Sequence, residues 1–141
     1  MDTAGRIETE PRSKLSRAPA RAVLRVEDYQ RAKAFYSETL GLPVDDIPGV
    51  PGNGIAMAGD GTQVELYERP GTPPPKHTVL GFHAVDFDTT FEDLRSRGVR
   101  FEDHDIPELG VKTENGVAEI GGAKMAWFKD TEGNILSVGT M

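Results

Sequence analysis

Alternation of apolar and polar positions begins at residue 20 and gives the first readable element. In 20-ARAVLRVE-27, Ala22, Leu24 and Val26 alternate with Arg21, Val23 and Arg25, the period-two signature of a strand with two unlike faces. Asp28 then stands at an N-cap position. Ala32, Phe35, Tyr36 and Leu40 recur at helical spacing until Gly41, a residue suited to a left-handed stop. Extended pieces over 53–58 and 62–68 are joined by the turn 59-GDG-61. The stretch 69-RPGTPPPKH-77 is stiff and cannot enter a sheet interior, which predicts a linker.

The same order of signals then returns. A strand pattern over 78-TVLGFHAV-85 leads to Asp86, a helix through Arg97 and a stop at Gly98. Strands are expected at 99–102, within 117–128, and over 134–138. The turn and strand 61-GTQVE-65 have a counterpart in 133-GNILS-137. Both halves thus read β-α-β-β-β, and a long period seen twice predicts a duplicated domain. The expected fold class is α+β: one domain over 20–141, with module one at 20–68, the linker at 69–77 and module two at 78–141. Residues 1–19 are polar and aperiodic and are expected to form a disordered tail. The segment 103–116 is long for a connection and is expected to be an irregular loop, a candidate lid.

Composition narrows the partners. A chain of 141 residues suits one well-buried domain. Absence of cysteine excludes disulfides and thiolate zinc sites, which fits the expected cytoplasmic location. No run is long and apolar enough to span a bilayer or to serve as a signal-peptide core, so no membrane partner is expected. The net charge is −7, and from Ala22 onward 11 Lys/Arg face 20 Asp/Glu. Nucleic acid needs a basic footprint and is not an expected partner. The acidic body serves solubility and favours cationic ligands.

The stretches 24-LRVEDYQRAKAFYSETLGL-42 and 128-FKDTEGNILSV-138 resemble the vicinal oxygen chelate superfamily of glyoxalase I, extradiol dioxygenases and bleomycin resistance proteins. The likeness runs from Ala20 to the end of the chain. It implies two βαβββ modules whose mixed sheet curls into a cup, with helices outside and the ligand chamber within. It also implies four strand positions for metal ligands, which fall here on Arg21, Glu65, Val79 and Ser137. Only Glu65 is an accepted ligand type, and a catalytic metal needs about three protein ligands. No metal and no other cofactor is therefore expected. A register slip that brings in His77 or His83 is the one route back to a metal.

Projected onto that cup, the alternation places Arg21, Val23, Arg25, Gln63, Glu65, Tyr67, Val79, His83 and Ser137 on the chamber wall. Trp127 joins them as wall or aromatic platform, its facing open because a bulge near 120–124 would change the register. Leu80, Phe82 and Ala84 are expected under the second helix. Glu65 either bridges to Arg21 or moves a proton; His83 either hydrogen-bonds in the wall or acts in proton transfer. His77 is expected at the surface, and His104 in solvent on its loop. The leading expectation is a metal-independent protein that binds a small organic molecule, for drug sequestration or secondary metabolism. The alternative is a metal-independent isomerase, cyclase or lyase with His83 and Glu65 as catalytic residues. A metal-dependent lyase or dioxygenase stands last. Relatives of this kind pair, so a homodimer is expected.

Overall fold

The computed structural model describes residues 12–140. Ten strands condense into two mixed sheets, each opened by a strand–helix pair. Strand β1 (Ala22–Val26) leads through Asp28 into helix α1 (Tyr29–Ala34), which continues as a wider π turn over Phe35–Thr39. The Asp28 side chain accepts from the Arg31 N–H, and the helix ends before Gly41 at φ 72°. Strands β2 (Val44–Asp46), β3 (Asn53–Ala58) and β4 (Thr62–Glu68) follow as an antiparallel meander, and β4 closes beside β1 in parallel. The sheet order is β1-β4-β3-β2.

Module two repeats this with β5 (Thr78–Ala84) and α2 (Phe87–Ser96), capped by Asp86. It then differs from expectation. Residues 99–102 give only an isolated bridge between Phe101 and Phe128. The segment 103–116 is ordered into β6 (Asp105–Ile106), a 3-10 turn over Pro107–Leu109, and β7 (Val111–Glu114), so the irregular-loop expectation is corrected. Asn115 and Gly116, at φ 54° and 84°, turn β7 into β8 (Val117–Ile120). Gly121 and Gly122, at φ 59° and 85°, form a second tight turn into β9 (Ala123–Lys129). A hairpin therefore stands where a bulge was expected. Strand β10 (Ile135–Thr140) lies between β9 and β5, giving the order β5-β10-β9-β8-β7-β6. The register shift of this sheet lies instead at Ile135/Leu136, opposite Val79.

Of the tail, residues 1–11 lie outside the described residues; Lys14–Arg17 form one exposed 3-10 turn that buries nothing. No described helix is long and apolar enough to cross a membrane.

The two modules share a core. Leu24, Val26, Ala56, Val64 and Leu66 of the first sheet meet Tyr29, Ala32 and Tyr36 of α1, and Val99, Phe128 and Leu136 from module two join the same cluster. Full burial of side chains such as Leu66 or Phe128 stabilises by about 1.5–3 kcal/mol each. Ala84, Phe87, Phe91, Ala126 and Val138 form a second cluster under α2, linked to the first through Phe82, Leu94 and Phe101. The helix-bearing faces are thus spent on packing, and the opposite face of each sheet stays partly exposed. Among the described residues no strand of one sheet is hydrogen-bonded to a strand of the other.

Candidate functional site

The open face of the first sheet carries a polar network on an apolar floor. Arg21 donates from Nε and Nη2 to Glu65 Oε1 at 3.2 and 3.0 Å, and from Nη1 to Gln63 Oε1 at 3.2 Å. Asn53 Nδ2 donates to the other carboxylate oxygen, Glu65 Oε2, at 3.1 Å. Both oxygens of Glu65 are therefore engaged, and its charge is met by a guanidinium. Val23 lies in register with Glu65 and is 55% exposed. Ile55, opposite Glu65 on β3, and Tyr67, opposite Asn53, complete this face. The Arg69 guanidinium lies over the Tyr67 ring at 5.8 Å.

Arg25 shares the parity of Arg21 and Val23 but is 8% exposed. Its Nη1 donates to Glu132 O at 2.9 Å, and its own carbonyl accepts from Asn134 Nδ2 at 2.9 Å. It is thereby built into the junction between modules, where the turn 130–134 docks on the end of β1. Buried Glu132 organises this junction: Oε1 accepts from the N–H groups of Glu27 and Asp28 at 3.0 and 2.9 Å, and Arg31 Nε donates to Oε2 at 2.9 Å. With Glu68 accepting from Tyr29 N–H, three carboxylates serve the start of α1, where free N–H groups gather.

The open face of the second sheet is read from the core residues between its members. Leu136 and Val138 are buried in the core clusters, so Ser137, together with its register partners Trp127 and Gly81, takes the other side. A Cβ on Gly81 would come within 3.0 Å of Ser137 Oγ, which shows how closely the two strands' residues meet there. His83 pairs with Gly139 and is exposed. Val79 does not join this face. The register shift beside it turns it, with Leu80, onto the core cluster.

One neighbour of Trp127 was assigned to solvent by sequence and is here beside it. The His104 ring stands edge-on to the indole, centroids 5.7 Å apart at 89°, and its Nε2 lies 3.1 Å from Glu102 Oε1. Lys129 Nζ is 3.7 Å from Glu102 Oε2. The ordered hairpin fixes this corner: Thr113 Oγ1 accepts from His104 N–H at 2.8 Å and donates to Asp103 Oδ1 at 2.7 Å, which also accepts from Gly116 N–H. The Thr113 hydroxyl, then the Gly116 N–H, hold the Asp103 carboxyl below its ordinary range. The signal available in sequence was Asn115-Gly116, a strong hairpin pair.

Two groups therefore come together: Arg21, Gln63 and Glu65 on one sheet, and Ser137, Trp127 and His104 on the other. No hydrogen bond or ion pair joins Glu65 to His83 among the described residues. The four positions that the resemblance assigns to metal ligands do not fit a divalent ion. Arginine brings a like charge, Val79 packs against the core and has no lone pair to offer, Ser137 is a poor donor, and Glu65 is already neutralised.

Comparison with known proteins agrees with this architecture. The family model for the Glyoxalase/Bleomycin resistance protein/Dioxygenase superfamily matches residues 18–138. The uncharacterized protein YraH of Bacillus subtilis is 26% identical over 131 residues, covering 82% of this chain and 91% of that protein. Among solved structures, TnmS3, an antibiotic binding protein from Streptomyces sp. CB03234, superposes with a TM-score of 0.59 at 26% identity, covering 87% of this chain and 97% of that one. A glyoxalase/bleomycin resistance protein/dioxygenase from Nocardioides superposes with a TM-score of 0.63 at 18% identity, covering 94% and 87%.

Proposed function

The chain belongs to the Glyoxalase/Bleomycin resistance protein/Dioxygenase superfamily, and from that premise we propose that it binds a small organic molecule on its open sheet faces without a metal. The observation that carries this reading is the pairing of Arg21 with Glu65 at 3.0 Å. It fills with an internal ion pair the place where the metal-dependent relatives need free donors. What remains on the two faces is a ligand-binding mixture: Val23, Ile55, Tyr67, Met125 and Trp127 as apolar or aromatic wall, with Gln63, His104 and Ser137 as a few polar groups. The antibiotic binding protein among the solved relatives supports a ligand of antibiotic size.

A homodimer completes the site. Within one chain the helix-bearing faces share a core, so the open faces are free to meet those of a second copy, each cup then drawing one sheet from each chain. Exposed Val23 suits such coverage better than solvent.

Trp127 is the sole tryptophan and reports directly on the wall. Titration with a panel of aromatic antibiotics and apolar amines is expected to give a saturable fluorescence change, with the ligand recovered unchanged and the protein sedimenting as a dimer. Conversion of a ligand to product, abolished by His83→Ala or Glu65→Gln, would replace binding with metal-independent catalysis. Absence of any saturable change across the panel would count against the site itself.

A further inference from the structure

We infer that His104, held by Glu102 against Trp127, is the specificity-determining residue of this face and selects planar ligands that present a hydroxyl or N–H donor. This rests on the binding reading above and adds the chemical class. The carboxylate of Glu102 can only accept, so the 3.1 Å contact from His104 Nε2 requires a proton on that nitrogen. In the neutral ring the proton is then absent from Nδ1, which makes no hydrogen bond among the described residues and is left as an acceptor. The side chain is 33% exposed, so a ligand reaches it.

Its orientation is fixed from three directions. Glu102 sets the tautomer, the perpendicular indole at 5.7 Å limits ring rotation, and Thr113 anchors the backbone N–H at 2.8 Å. Lys129, 3.7 Å from the second oxygen of Glu102, holds that carboxylate from its other side. Trp127 supplies a flat apolar surface, and aromatic partners stack on such a surface in offset geometry. A planar molecule lying on the indole brings its rim to His104. A rim hydroxyl donates to Nδ1; an ether at the same place leaves that nitrogen unpaired and desolvated.

The test compares 2-naphthol with 2-methoxynaphthalene, equal in ring area and differing in the donor. Binding is followed by heteronuclear NMR at the single indole N–H and at the ring nitrogens of His104. The naphthol is expected to bind about fivefold tighter than the ether and to shift His104 Nδ1, which the ether leaves unmoved. His104→Phe keeps an aromatic ring against Trp127 and is expected to bring the two affinities within about twofold by weakening the naphthol alone. Equal affinities in the native protein, with Nδ1 unmoved, would overturn this inference and leave the binding face standing. If neither probe moves the indole resonance, the binding face fails and the inference falls with it. The Nδ1 reading needs no variant, so a poorly folded His104→Phe does not rescue the idea.

Discussion

Tyr36 donates a 2.7 Å hydrogen bond to Asp130 Oδ2 with both side chains buried, tying the first helix to the last turn across 94 residues of chain. Asp130 is the organiser of that turn, since its Oδ1 accepts from the N–H groups of Glu132 and Asn134 at 2.8 and 2.9 Å. Burial, then the Asp130 charge, pushes the Tyr36 phenol well above its ordinary value, so it stays protonated and donating. Tyr36→Phe removes one partner of a buried carboxylate and is expected to destabilise by about 2 kcal/mol. Urea unfolding should show a lower midpoint at unchanged slope. An unchanged midpoint would mean that the turn holds its place without α1.

Glu132 makes stability depend on acid. Burial pushes its carboxyl up, but hydrogen bonds from Arg31, Thr131 and the Asp28 N–H, with the charge of Arg31, outweigh burial and hold it at about 2 against an ordinary 4.5. The folded value is the lower one, so the stabilisation is complete above pH 4.5 and is lost as pH falls toward 2. Glu132→Gln is expected to flatten that acid limb and to lower stability at neutral pH by about 2 kcal/mol. Urea midpoints measured down the pH range decide it; two parallel limbs would place the acid sensitivity elsewhere.

Gly54 is chosen by closeness, not by φ. A Cβ there would fall on the Tyr29 hydroxyl, which donates to Asp46 Oδ1 at 2.7 Å. Gly54→Ala must move the tyrosine and break that bond, at a cost of about 1–3 kcal/mol. A thermal melt tests this, and a melting temperature equal to that of the native protein would show that β3 yields without penalty.

Arg21 and Glu65 make a half-exposed pair, with side chains 39% and 19% accessible. Water screens such a pair, so a double-mutant cycle with alanine at each position should give a coupling below about 1 kcal/mol. A coupling above about 2 kcal/mol would identify the pair as a structural bolt and remove the argument that it merely fills a vacated site.

Local signals were read correctly where local chemistry decides. Asp28 and Asp86 cap their helices, and Gly41 and Gly98 end them at φ 72° and 97°, because a cap needs only its own few residues. The Arg21–Glu65 bridge was also legible, since strand parity puts both on one face. Val79 was not. Its turn onto the core follows from how β5 registers with β10, a pairing made across more than fifty residues that no window on the sequence contains. The place of His104 was not legible for another reason: it follows from the Glu102 N–H bond to the Trp127 carbonyl and from the hairpin turned at Asn115-Gly116, contacts that join residues more than ten positions apart.

The junction at 130–134 also sets an order of events at the ribosome. Tyr36, Arg25 and the N–H groups that open α1 have their partners on a turn made 94 to 107 residues later. At usual synthesis rates that is a wait of roughly five to twenty seconds. During that interval the first module carries a polar docking surface with nothing to receive it. Its helix gains its anchor only as the second module's last strand is laid down, so the duplicated halves, alike in plan, mature as one unit.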